Sequence, residues 1–328
     1  MKAEWFARVC VILLGIGLPL IAIVAGSDTG VIEVHGKVAE SGGWTPGNLS
    51  AVVGQSIHLR LTSDDVVHSF AIGQSDQAPI DVMPGQRVDT TLVFDKPGKY
   101  TFYCTRWCGV NHWRMRGTIE VSGSSTAVIT PTTPLYVALK LSLDDPHPAE
   151  IVPASKPSAA QADSLGVQAD LPAGVYRTQS PVEVWKQLRA ASFSNGLSDT
   201  QVWNLVAWVW RSSTTPESIA SGKRLYAQNC AACHGEAGRG DGVMAAPLKK
   251  AVPSDNMSGM PGHDPGAPAN FTDARNMLGA SSAILQGKII RGGMGTGMPY
   301  WGPIFTDAQI WSLVDYLWTF QFEEGDKP

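Results

Sequence analysis

The sequence is short of cysteine: there are five in 328 residues, at positions 10, 104, 108, 230 and 233. It also lacks a strong charge of one sign. A formal net charge of -4 leaves no field that would draw nucleic acid or anionic lipid. Nothing in the composition is polar or repetitive enough to mark wholesale disorder. No pair of groups is arranged for general acid–base work on a substrate. What the chain does have is length enough for two ordinary domains plus extras, and every one of its few cysteines has informative neighbours.

A charge-free run stands near the start. From Val9 to Ala25 most side chains are aliphatic, and these 17 residues would span roughly 26 Å as a helix. Lys2 and Arg8 precede the run, and Asp28 and Glu33 follow it. The bias of positive charge toward the inner side predicts a transmembrane anchor over residues 1–27, with a cytoplasmic N-terminus. A cleaved signal peptide ending near Ile23–Ala25 is the competing reading. Both readings place the remainder on the outer face of a prokaryotic plasma membrane. There Cys104, Cys108, Cys230 and Cys233 could pair as two disulfides. Cys10 lies within the apolar run and reads as inert.

Residues 31–122 read as an all-β domain. Ser56–Leu61 alternates, with Ile57, Leu59 and Leu61 on one face, and Arg87–Phe94 alternates again. Val66–Ile72, Gly98–Cys104 and Gly117–Val121 complete a set of short strands of sandwich or barrel type. Residues 123–165, rich in Ser, Thr, Pro and Ala, predict a linker over the surface. Beyond them the pattern turns helical, with helices expected at 216–232, 281–291 and 306–320. The stretch Leu197–Trp210 parallels Phe305–Trp318: each opens on a Ser/Thr-Asp start signal and repeats Trp and aliphatic residues on one face. Residues 166–215 are therefore either independent amphipathic helices or a partial duplicate of the last domain. With no second Cys-x-x-Cys-His, that copy holds no covalent haem.

The first chemical constellation is Cys104-Thr-Arg-Trp-Cys108-Gly-Val-Asn-His112-Trp-Arg-Met115, directly after a strand. Thiolates and a thioether are soft ligands that select copper, and imidazole suits it too. Two cysteines in one loop allow two thiolates to bridge two coppers, and each copper then needs a terminal histidine. His112 supplies one. His68, in a strand 36 residues before Cys104, supplies the other. A Cys104–Cys108 disulfide and a tetrahedral zinc site from the same ligands stay open as alternatives. His35 and His58 read as non-ligands.

This pattern resembles the dinuclear CuA centre of cytochrome c oxidase subunit II, and the likeness runs over residues 1–122. The resemblance implies a cupredoxin Greek-key barrel. It also implies a copper pair held by His68, Cys104, Cys108, His112, Met115 and the backbone carbonyl of Arg106. The family usually carries an acid or amide at that position, so Arg106 is a departure that brings a charge close to the site. Trp107 is either the point where electrons enter or a packing residue. Room for one anchor rather than two makes the chain similar to the shorter members. In those a glutamate near the anchor's start is linked to proton uptake. Glu4 sits comparably, with a plain interfacial charge as the blander reading.

Cys230-Ala-Ala-Cys233-His234 is the attachment motif of a c-type haem, with both thiols as thioether donors and His234 under the iron. The second axial ligand should be a later methionine. Gly292-Gly-Met294-Gly-Thr-Gly-Met298-Pro299-Tyr-Trp301 is the loop for it, with Met298 favoured over Met294 because proline fixes the backbone beside it. Residues 216–322 resemble a small class I cytochrome c, in which Tyr226 and Trp301 would pack around the haem.

The expected molecule is an anchor, a cupredoxin and an all-α cytochrome c domain. Its expected cofactors are a two-copper CuA centre and one covalent haem c. The resemblance implies subunit II of a haem–copper terminal oxidase, working with subunit I and other membrane subunits. Electrons would come from a soluble cytochrome c or a quinol-oxidising complex, pass through haem and copper, and reduce oxygen to water in subunit I with proton pumping. The alternatives are a CuA-type subunit of a nitric oxide reductase, or a stand-alone redox or copper carrier.

Overall fold

In β4 (Ser56–Ser63) every second residue from Leu59 is buried, and the residues between stay wet. That alternation is the expected one, and it makes one face of a sheet. The structure, a computed structural model, describes residues 30–75, 77–109, 111–124, 133–166, 174–251, 267–293 and 297–323. The expected anchor over 1–27 lies outside these. Among the described residues, no helix is long and apolar enough to cross a membrane.

Two sheets face each other. One has the order β2-β1-β4-β7, from β1 (Val31–Gly36), β2 (Trp44–Thr45), β4 and β7 (Arg87–Val93). The other has the order β3-β9-β8-β5-β6, from β3 (Asn48–Val52), β5 (His68–Ile72), β6 (Ile80–Val82), β8 (Gly98–Tyr103) and β9 (Arg116–Ser122). β1 runs parallel to β4 and β3 parallel to β9, while the other neighbours are antiparallel. Val34, Leu59, Leu61 and Leu92 meet Phe70, Phe102, Ile119 and Val121 in the core between them. β5 departs from the alternating pattern, since all five of its residues are buried. Its inner face fills the sandwich, while Ala71 and its cross-strand partner Tyr103 are covered by the helical half.

The helices are α1 (Leu135–Ala138), α2 (Ala159–Asp163), α3 (Val175–Thr178), α4 (Pro181–Ala190), α5 (Asp199–Ser212), α6 (Pro216–Asn229), α7 (Ala231–His234), α8 (Ala245–Ala251), α9 (Ala274–Met277), α10 (Ser282–Arg291) and α11 (Asp307–Trp318). The expected helix at 216–232 breaks at Cys230, and α7 begins after it. Helices α6 and α11 cross at Gly222, where any Cβ would strike the Ser312 carbonyl. The start signals act as read: Ser198 and Thr306 each cap a helix, and Gln201 and Gln309 reach back to complete capping boxes.

The stretch expected as a surface linker stays mostly exposed over 133–165, but it is anchored to the helical core at intervals. Leu143, Ala149, Ala159 and Ala162 are buried within the same core as α6, α10 and α11. Its backbone is satisfied there too. The Ala149 N–H donates to Arg275, the Ser158 N–H to the Asn204 side chain, and the Glu323 N–H to Pro157. The small residues that made the composition look like a linker are small because they pass close over helices. The two parallel stretches also meet: their equivalent final tryptophans, Trp210 and Trp318, lie edge to face 5.6 Å apart.

Candidate metal and haem sites

Strand β5 delivers His68 and strand β8 ends at Tyr103, just before Cys104. The two cysteine sulfurs are 3.9 Å apart. A disulfide needs about 2.05 Å, and both cysteines are free. Two sulfurs on one metal ion, each at about 2.3 Å in near-tetrahedral geometry, lie roughly 3.8 Å apart, so the spacing suits thiolates that share ions. The other donors surround the sulfur pair. His68 Nδ1 lies 4.0 Å and the Arg106 carbonyl 3.2 Å from Cys104 Sγ. His112 Nδ1 lies 3.9 Å and Met115 Sδ 3.7 Å from Cys108 Sγ. His68, Cys104 and Cys108 converge with donor atoms all within 4.8 Å, a group that His112 does not join. Two thiols, two imidazoles, a thioether and a carbonyl are more donors than one tetrahedral zinc takes, so the set suits two ions better than one.

Asp65 orients His68. Its carboxylate accepts from His68 Nε2 at 2.7 Å, from the Val66 N–H at 2.6 Å and from the Val38 N–H at 2.7 Å. With its proton on Nε2, the ring presents Nδ1 to the sulfurs. Burial would raise the Asp65 pKa, but the two backbone donors and His68 outweigh it and hold the group low. For His68 burial lowers the pKa, but Cys104 and Asp65 together outweigh it, so the net shift is upward. The two thiols share their ionisation. Hydrogen bonding from Cys108 pulls Cys104 down, and the resulting charge pushes Cys108 up. The Ser69 N–H also points at Cys104 Sγ, at 3.4 Å.

Arg106 does not leave a free charge at the site. Its guanidinium forms a two-pronged pair with Asp81, at 2.9 and 2.6 Å. Trp107 stands 5.3 Å from the His112 ring, and at 40% exposed it is the most open aromatic of the loop. Gly36 lies beneath the site, where a Cβ would press on Trp44, His68 and Met115. His58 bonds to Thr91 and His35 to Asp64, so neither joins the cluster. The sequence reading missed Asp65, Ser69 and Asp81. The only signal for Asp65 was its place three residues before His68.

In the helical half, Cys230 caps α7 and Cys233 lies within it, both as free thiols, and burial pushes their pKa values up to about 12 and about 11. His234 Nδ1 lies 3.0 Å from the Ala269 carbonyl. Donation there leaves Nε2 free for an iron, and burial lowers the His234 pKa, which favours the neutral ligand form. Phe271 stacks on His234 at 4.6 Å, and Tyr226 joins Phe271, Tyr316 and Phe320 in one aromatic group. These features fit a covalently bound haem. Met298 is half-buried against the core, and its carbonyl accepts from the Gly293 N–H at 3.1 Å. Met294 lies outside the described residues.

A cavity of about 450 Å³ separates the two sites. Thr105, Arg106, Trp107 and His112 line one side, and Ala232, Cys233, Pro299 and Trp301 the other. Trp301 stacks flat on Phe305 at 5.2 Å and forms part of the wall.

Comparison with known proteins agrees with both halves. A family model described as cytochrome c oxidase subunit II, periplasmic domain, matches residues 48–122, and one described as cytochrome c matches residues 219–321. Two proteins named cytochrome c oxidase subunit 2, both from Thermus thermophilus, are each 33% identical over 79 residues. That stretch is 24% of this chain and 58% and 46% of theirs, so the chain spans about half the length of the curated relatives it matches. A crystal structure of the periplasmic domain of subunit II of cytochrome oxidase from Bradyrhizobium japonicum aligns at 22% identity. It covers 28% of this chain and 83% of its own, with a TM-score of 0.24.

Proposed function

We propose that this chain, a cytochrome c oxidase subunit II periplasmic domain fused to a cytochrome c domain, is the electron-relay subunit of a haem–copper terminal oxidase. The observation that carries the reading is the gathering of His68, His112, Met115 and the Arg106 carbonyl around a 3.9 Å sulfur pair, with a haem-attachment motif across one cavity. When bound, a copper pair and a covalent haem would supply one-electron carriers.

The chain's own residues hold, orient and insulate. Cys104 and Cys108 would hold the metals together with His68, His112, Met115 and the Arg106 carbonyl. Asp65 fixes the tautomer of His68 and Ala269 that of His234. Cys230 and Cys233 would anchor the haem, and Met298 would complete its axial pair. Trp107 lines the cavity between the sites and would carry electrons into the copper loop.

In this reading electrons arrive from a soluble cytochrome or a quinol-oxidising complex. They leave for subunit I, where oxygen is reduced to water with proton pumping, and residues 1–27 anchor the chain in the membrane. The test is to isolate the chain with its membrane partners and measure oxygen and nitric oxide turnover in parallel. Oxygen consumption with two coppers and one haem per chain is expected. Turnover of nitric oxide alone would overturn the oxidase assignment, and absence of a mixed-valence near-infrared band would overturn the copper pair.

A further inference from the structure

The copper half and the haem half are joined by more than a connecting segment. Ala71 and Tyr103 are buried in the core of the helical half, not in that of the sandwich. The loop after β5 also reaches across. The Gln74 N–H donates to the Ile304 carbonyl at 2.6 Å, and its side-chain amide to the Gly302 carbonyl at 3.3 Å. In the other direction, the Gln309 side chain donates to the Ser75 carbonyl at 3.3 Å. Gly73 approaches so closely that a Cβ would fall 2.9 Å from the Pro303 carbonyl oxygen and 3.0 Å from the Ile304 Cα.

Arg116 occupies the centre of this seam. It directly follows Met115. Its guanidinium lies over the Tyr300 ring at 5.3 Å and the Trp301 ring at 5.1 Å, and Nη1 donates to the Tyr300 carbonyl at 3.1 Å. Tyr300 and Trp301 are two and three residues past Met298. Among the described residues no carboxylate is ion-paired with this guanidinium, so its desolvated charge is met by two ring faces and a carbonyl. Such a contact is strong when dry and is lost if the halves part, because both rings belong to the other half. A guanidinium wedged in this way fixes orientation as well as distance.

We propose that Arg116 is an interdomain latch, a positioning residue that locks the Met115 copper loop to the Met298 haem loop in one pose. Electrons then pass within the chain between fixed sites, and the cytochrome half does not swing. The inference rests on the copper-and-haem reading above. In the step it serves, the haem iron is oxidised from ferrous to ferric and the copper pair gains that one electron.

The test uses the full chain loaded with copper and haem. Two adjacent amides make an internal comparison under hydrogen exchange. The Gly73 N–H is bonded inside the copper half, to Thr101, and the Gln74 N–H across the seam, to Ile304. A locked seam predicts that both are protected in the wild type. In Arg116→Ala, Gln74 should exchange about tenfold faster or more while Gly73 is unchanged. Haem-to-copper transfer after flash reduction of the haem should slow by about tenfold or more and become dependent on solvent viscosity. The copper and haem absorption bands should persist. Should Arg116→Ala fail to fold, Tyr300→Ala removes one face of the same sandwich, a ring that is largely exposed. The latch is overturned if Gln74 exchanges freely in the wild type beside a protected Gly73. It is overturned equally if either variant keeps its native bands and transfers electrons at the wild-type rate. A wild-type chain without a copper-pair band would sink the functional reading instead, while the Gln74-to-Gly73 comparison would still judge the latch.

Discussion

Arg106 would serve the copper pair through its main chain, and that separates its carbonyl from its side chain. The guanidinium is spent on Asp81 at the surface, where ion pairs contribute on the order of 1 kcal/mol or less. Arg106→Ala should therefore keep both coppers and their near-infrared band, with stability changed by no more than about 1 kcal/mol. Cys108→Ser is the contrasting case. It removes a shared thiolate, so copper per chain, measured by mass spectrometry, should fall from two to one or none. A disulfide or a purely structural loop would show no such stoichiometric step. Asp315 carries a different residue-scale effect. It is buried in α11 and accepts from the hydroxyls of Tyr176 and Ser218, each at 2.5 Å. Burial nevertheless raises its pKa, since desolvation outweighs those bonds. A carboxyl whose folded pKa is raised binds its proton more tightly in the native state. The cost of its charge is present at neutral pH and relieved as pH falls through the folded pKa toward the unfolded value of about 3.9. Melting curves at pH 7 and pH 5 should show the wild type losing less stability on acidification than Asp315→Asn, which has no carboxyl to protonate.

Element by element, the caps and crossings decide how the haem half is held. Thr306 accepts from the Gln309 N–H to start α11, and Thr306→Ala should cost about 1 kcal/mol. Gly222→Ala should cost more, in the range of about 1–3 kcal/mol for overpacking, because the neighbour it meets is the backbone of α11 and cannot rotate away. A thermal melt of the haem-loaded chain orders the two. The caps were legible because Ser198-Asp199 and Thr306-Asp307 each open a helical stretch, a local signal. The strands of the sandwich were legible for the same reason, from alternation in β4 and β7. β5 was harder, because its outer face is covered by residues more than 200 positions later, such as Ile304 and Phe305. Most candidate ligands stand out because Cys104–Met115 and Cys230–His234 are short motifs, while His68 and Met298 come from other segments. Asp65 and Asp81 could not be read, since the groups they serve are fixed only when β5, β6 and the copper loop come together. For residues 123–165 the sequence showed the surface course but not the points at which Leu143, Ala149, Ala159 and Ala162 anchor it. Alanine and serine mark a flexible linker in one context and a close-packed strap in another, and composition does not distinguish the two.

At the scale of the whole molecule, that strap changes what counts as the haem domain. Leu143, Ala149, Ala159 and Ala162 share one core with α5, α6, α10 and α11, and Trp210 of α5 packs against Trp318 of α11. Arg291 of α10 reaches back to Asp144, and Arg211 of α5 to Asp163. A cytochrome c unit cut at residue 216 would expose Trp318 and Phe322, which Trp210 now covers. Each aromatic face so uncovered loses on the order of 1–3 kcal/mol of burial, a large share of a domain's total stability of about 5–15 kcal/mol. The haem half should therefore unfold with residues 133–215 in a single transition. Calorimetry of the haem-loaded chain tests this, with proteolytic mapping of what survives above each midpoint. A fragment beginning at 133 should melt in one step near the temperature of the parent's haem half. A fragment beginning at 216 should melt well below it. If the shorter fragment melted at the parent temperature, the strap would be dispensable and the haem half would begin at α6, as the resemblance over residues 216–322 first implied.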